Sequence, residues 1–96
     1  MIVRIRKKHI ESRHYGRSLS YFVVPIDYLM DVIRDLLARG VWHARQNLGQ
    51  GKYRTWYYCS RIMGVQVPGY ITTRRICLVT ESKQRGVVVV RTAYPD

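Results

Sequence analysis

With 96 residues, 47% of them apolar, the chain amounts to one domain (residues 1–96) with one modest core. Its 17 Lys and Arg against 6 Asp and Glu leave a formal charge of +11, which self-repulsion makes costly to a compact fold, so a polyanionic partner is expected: RNA, DNA, an anionic membrane surface or an acidic protein. No segment approaches the ~18–20 apolar residues of a membrane span, and the opening Met1-Ile-Val-Arg-Ile-Arg-Lys-Lys lacks the apolar core and cleavage site of a signal peptide.

Residues 1–8 alternate apolar and basic and read as a short strand or an ordered arm. Residues 9–22 are dense in polar groups, with a short helix expected over about 8–15 and ended by Gly16. The clearest element is a helix over 26–39. Ile26, Leu29, Met30, Ile33, Leu36 and Leu37 form one apolar stripe, Pro25 suits the entry, and Gly40 suits the C-cap. Asp27 and Asp31 near its start and Arg39 near its end complement the helix dipole. Residues 44–52 hold Asn and two Gly without periodicity and read as a loop. Beyond them the pattern turns to β: Tyr53–Cys59, Arg61–Val67, a turn near Pro68-Gly69, Thr72–Thr80, a turn over Lys83–Gly86, and Val87–Thr92 as a buried closing strand. The order predicts an α+β fold, with N-terminal helices packed on a curved antiparallel β-sheet of about four strands. Cys59 and Cys77, with no CxxC and no His/Cys cluster, read as two buried free thiols; a cross-strand disulfide is the alternative in an oxidising compartment.

Four groups of residues carry candidate chemistry. His9, Arg13 and His14 fall near one face of the first helix. Metal-independent RNA cleavage needs a base for the ribose 2′-hydroxyl, an acid for the departing 5′-oxygen and a cation for the phosphorane. Two His and one Arg supply those types, although the same spacing suits a basic face that merely contacts phosphate. Thr92 and Tyr94 point to one face of the last strand and offer a hydroxyl and a phenol to a phosphate oxygen, against a reading as ordinary strand residues. In Thr72-Thr73-Arg74-Arg75 only one Arg can face a site, since adjacent strand residues point opposite ways. In Lys52-Tyr53-Arg54-Thr55-Trp56-Tyr57-Tyr58 the aromatics can stack on bases, but Trp56 and Tyr58 are expected in the core. Lys52, Arg54, Arg74, Arg75 and Arg17 are the candidate RNA contacts. His43 reads as a surface or packing residue. No metal motif, phosphate loop or dinucleotide fingerprint is present, so neither metal nor cofactor is expected.

The ordered series His9-Ile-x-x-Arg13-His14, Ser20-x-Phe22, Leu36-Leu37-Ala-Arg-Gly40, an Asn47 loop, Lys52 to Tyr58, Ile62-Met-Gly64-Val65, Pro68-Gly69, Thr72-Thr-Arg-Arg-Ile76 and Thr92-Ala-Tyr-Pro95 resembles the C-terminal ribonuclease domains of bacterial polymorphic and contact-dependent inhibition toxins, in the barnase, EndoU, colicin and RelE-like fold group. The resemblance implies metal-independent cleavage of RNA, often tRNA. It implies an acidic cognate immunity protein or antitoxin, bound one to one by an otherwise monomeric toxin. It also implies delivery as the tail of a larger secreted effector that acts in the target-cell cytoplasm. Met1 stands eight residues before His9, as expected of an excised domain or a standalone relative, the latter cytoplasmic. Carried onto this chain, His9 and His14 become acid and base in unassigned order, Arg13 a phosphate ligand, and Thr92 and Tyr94 site residues. A non-catalytic RNA-binding module and a small phage or plasmid protein that binds an acidic host protein are the competing readings, and the basic charge fits all three.

Overall fold

A computed structural model describes residues 1–16 and 18–96; Arg17, expected among the RNA contacts, lies outside the described residues. In chain order the elements are β1 (Ile2–Ile5), α1 (Lys7–His14), β2 (Tyr21–Phe22), α2 (Ile26–Arg39), β3 (Ala44–Gly49), β4 (Lys52–Tyr58), β5 (Gly64–Gln66), β6 (Ile71–Thr73), β7 (Arg75–Gln84) and β8 (Val87–Pro95). They form an α+β fold with a mixed five-stranded sheet, ordered β1-β8-β7-β4-β3, and a three-stranded sheet, ordered β2-β5-β6.

The antiparallel sheet of about four strands is therefore corrected in two ways. The opening residues are a strand, and β1 pairs parallel to β8, from Ile2 opposite Val87 to Ile5 opposite Val90. Residues 44–52 are not a loop: β3 pairs with β4 around a turn in which Gly49, Gln50 and Gly51 all have positive φ. Five of the six residues of β3 are exposed. An edge strand covered on neither face needs no apolar alternation, which is why its sequence reads as a loop. Smaller corrections follow from pairing. The strand expected over Arg61–Val67 shortens to β5, and Thr72–Thr80 divides at Arg74 between the two sheets. β7 runs on to Gln84, so the turn over Lys83–Gly86 is reduced to its second half.

Helix α2 matches its predicted bounds. Its stripe turns inward, with Leu29 and Ile33 fully buried, and Gly40 closes it by donating its N–H to the Leu36 carbonyl. The stripe packs against Tyr57, Ile76, Leu78, Val90 and Ala93 of the large sheet and Met63 beside the small one. Full burial of each large apolar side chain stabilises the fold by roughly 1.5–3 kcal/mol. Helix α1 has eight residues and no side-chain N-cap, too short to be stable alone. Ile10 anchors it in the core, and the Tyr15 hydroxyl ties its end by donating to the Val24 carbonyl at 2.8 Å.

The aromatic strand β4 buries the opposite set from the one expected. Thr55 and Tyr57 face α2 and the core, whereas Tyr58 is 61% exposed and Trp56 half-buried. Lys52, Arg54, Trp56 and Tyr58 thus share the sheet face away from α2, where the register sets Trp56 opposite Cys77 and Arg54 opposite Val79. Both cysteines are free, Cys77 buried and Cys59 half-buried.

Candidate active site

His9, Arg13, His14, Thr92 and Tyr94, drawn from both ends of the chain, line one cleft of about 440 Å³ together with Ser18, Leu19, Ser20, Val67 and Pro68. Topology makes the meeting. Because β1 pairs parallel to β8, the chain leaves β1 beside Val90, where the Arg6 N–H donates to the Val90 carbonyl at 3.1 Å. Helix α1 starts at once and runs along the remaining part of β8, the part that carries Thr92 and Tyr94. The segments flanking the small sheet, Ser18–Ser20 before β2 and Val67–Pro68 after β5, supply the rest of the lining. Gly64 of β5 lies directly against Pro95, so that a Cβ there would stand 2.5 Å from the proline ring and from the Tyr21 carbonyl.

His14 is the most constrained group. Its Nδ1 lies 2.9 Å from the Ser20 carbonyl, which can only accept, so Nδ1 carries the proton and Nε2 is left as the basic nitrogen. Burial lowers its pKa, Arg13 and His9 lower it further, and the Ser20 carbonyl opposes them. The Tyr94 ring lies 5.7 Å from the His14 ring. His9 is also held below its ordinary value, first by desolvation and then by Arg6, Arg13 and Arg91. Burial pushes the Tyr94 phenol well above its ordinary range, and the Cys77 thiol bonded to it adds to the shift, so Tyr94 stays protonated as a donor. At neutral pH the cleft therefore combines neutral imidazoles, a phenol, a hydroxyl and a guanidinium.

Two braces hold these groups. The Ser20 hydroxyl accepts the Val67 N–H at 3.1 Å and so joins the segment that orients His14 to the one that follows β5. Asp96 ties the end of β8 to three other strands. Its carboxylate accepts from the Trp56 indole N–H at 2.7 Å and from the Gln66 amide at 3.3 Å, and its carbonyl accepts from Arg75 Nε at 2.6 Å. Sequence reasoning missed Ser20 and Asp96 as positioning groups. Asp96 had one available signal: it follows Tyr94 by two residues and so shares its face. Arg91 was missed too. The pairing of β7 and β8 shifts between Val79 and Thr80, and Arg91 is the unpaired residue, bonded to Glu81.

The RNA-contact candidates are not gathered in the cleft. Lys52, Arg54, Arg74 and Arg75 do not line it. Arg54 donates to the Gln46 side chain at 3.1 Å, yet its charge acts on both Tyr94 and Cys77, so it stands beside the cleft on the same sheet face. Arg75 is occupied by Asp96, and Arg74 is exposed between the sheets. His43 is exposed and packs its ring 4.7 Å from that of Tyr58. Among the described residues no group of three or more His, Cys, Asp or Glu is placed to hold a metal ion, and no helix is long and apolar enough to cross a membrane. Comparison with protein-family models, with curated proteins and with solved structures finds no match to this chain.

Proposed function

We propose that this protein is an endoribonuclease that cleaves RNA by internal attack of a ribose 2′-hydroxyl, with tRNA as the first substrate to test. The observation that carries the reading is the single cleft shared by His9, Arg13, His14, Thr92 and Tyr94. His14 is assigned as the base, because its Nδ1–H is committed to the Ser20 carbonyl and its lowered pKa keeps Nε2 unprotonated near neutrality. Nε2 takes the 2′-hydroxyl proton as O2′ attacks phosphorus. The bond from phosphorus to O5′ breaks, and His9, in the imidazolium form that gains population as pH falls below neutrality, gives a ring proton to O5′. The products are a 2′,3′-cyclic phosphate and a 5′-hydroxyl. Arg13 binds the non-bridging oxygens, where a guanidinium fits the spreading negative charge. Tyr94 and Thr92 donate hydrogen bonds to the same oxygens.

The surroundings suit that partner. Arg54 and Lys52 lie with Trp56 and Tyr58 on one sheet face, cations beside aromatic faces, a combination that holds single-stranded RNA. The biological setting belongs to the same proposal: a toxin domain, neutralised one to one by an acidic immunity protein, and delivered as the tail of a secreted effector or acting in the cytoplasm of its own cell. A charge of +11 favours such an acidic inhibitor.

The test is incubation with total tRNA in EDTA across mildly acid to mildly basic pH. Wild type is expected to give fragments ending in cyclic phosphate. The double variant His9→Ala/His14→Ala is expected to give none while still binding tRNA. Full activity of the double variant overturns the mechanism, and binding without fragments by wild type makes the protein an RNA-binding module.

A further inference from the structure

The two sides of the cleft differ in chemistry. One presents His9, Arg13, His14, Thr92 and Tyr94; the other presents Leu19, Val67 and Pro68, three apolar side chains to which neither the catalytic groups nor the core assigns a role. Leu19 is 40% exposed, and Pro68 is exposed as well. A ligand that covers this apolar surface gains roughly 25 cal/mol for each Å² it removes from water. Phosphate alone covers none of it. A flat, weakly polar ring attached to the phosphate offers an apolar face to these side chains, and a cleft of about 440 Å³ lies in the range that takes one small ligand of this size.

We infer that Leu19, Val67 and Pro68 form a nucleobase subsite facing the phosphate-binding side, so that the cleft takes one whole nucleotide and acts only on nucleotides that are not base-paired. The inference rests on the ribonuclease reading of the cleft. A base inside the cleft lies between Pro68 and Leu19 on one side and the Tyr94 ring on the other, contacts that any base face makes. A base in a helix keeps both faces stacked and its edge paired, and it enters only after paying several kcal/mol to unstack, on the order estimated for base extrusion. Polar groups able to read the base edge are few. Among the described residues, the Ser20 hydroxyl, which accepts the Val67 N–H and keeps its own O–H to donate, and the Ser18 hydroxyl are the polar side-chain groups of this lining. A hydroxyl donates or accepts as required, so discrimination among the four bases is weak.

Binding and cleavage separate this inference from the reading beneath it. Uridine 3′-phosphate, adenosine 3′-phosphate and inorganic phosphate are titrated into the protein, followed by the His9 and His14 ring resonances. Both nucleotides are expected to bind at least about tenfold more tightly than phosphate and within about threefold of each other. Leu19→Ala, at a position exposed enough to leave folding intact, is expected to erase most of that advantage without weakening phosphate. Nucleotides that bind no more tightly than phosphate, or a Leu19→Ala protein that keeps the full difference, overturn the subsite. In parallel, one RNA sequence is offered in a hairpin loop and in a duplex. Cleavage confined to the loop supports the inference, and equal cleavage of the duplex overturns it. If neither RNA is cut, the ribonuclease reading fails while the nucleotide titration still decides the subsite.

Discussion

Replacing Gly64 by Ala probes the link between packing and the cleft. The added Cβ would stand 2.5 Å from the Pro95 ring and from the Tyr21 carbonyl, whereas ordinary contact begins at 3.4 Å, so β5 and the end of β8 must separate by about 1 Å. Two of the three close atoms belong to a proline ring and the third to backbone, so none can swing aside. Overpacking of this kind costs about 1–3 kcal/mol, which for a chain of this size lowers Tm by roughly 4–8 °C per kcal/mol. The displaced strand leads into Val67 and Pro68, opposite Thr92 and Tyr94, and a misplacement of about 1 Å in a reacting geometry costs on the order of 100-fold in rate. The assay is thermal unfolding together with tRNA cleavage at a temperature where the variant is folded. Gly16→Ala, with nothing within 4 Å of its Cβ, is the matched control and is expected to change neither. A Gly64→Ala protein with Tm within about 2 °C of wild type and full activity refutes the claim that close packing of β5 on Pro95 sets the cleft.

Three further outcomes are expected. Both histidines are held below 6.5, so in the free enzyme the base loses its proton and the acid loses its own below that value; kcat/KM should peak under pH 6.5 and fall steadily towards pH 8, and a maximum above pH 7 contradicts the assignment. Asp96→Ala orphans the Trp56 indole N–H and should cost about 1–3 kcal/mol in urea unfolding, with a shifted Trp56 emission in a Trp42→Phe background; unchanged emission rules out the brace. Glu81, paired with Arg91 and Lys83, is held down to about 2, so its contribution to stability is present above its ordinary 4.5 and is lost as pH falls through about 2. Glu81→Gln should therefore flatten the acid limb of stability, and an unaltered acid limb shows the pairing to be idle.

How much was legible in the residues differs by element. α2 was readable from end to end because a helix is a local object, and its stripe, entry proline and closing glycine all act within one or two turns. β4 was readable as a strand but not as to its faces, because Tyr53–Tyr58 is amphipathic on both sides and only packing against α2 selects Thr55 and Tyr57 for the interior. β3 was invisible, since its partner β4 supplies its order and solvent covers it otherwise. The residue types of the cleft were recoverable from acid–base and phosphate chemistry, and Thr92 with Tyr94 from strand alternation. Their braces were not, because Ser20, Val67 and Asp96 act through hydrogen bonds between segments distant in sequence.

By itself the sequence determined the basic charge, the α+β class, the bounds of α2 and the kinds of side chain available for chemistry, all of which follow from composition and short-range periodicity. Tertiary structure alone decided that His9, Arg13 and His14 meet Thr92 and Tyr94. That meeting depends on the parallel pairing of β1 with β8, a contact between the two ends of the chain whose loop-closure cost is repaid only when the core between them forms.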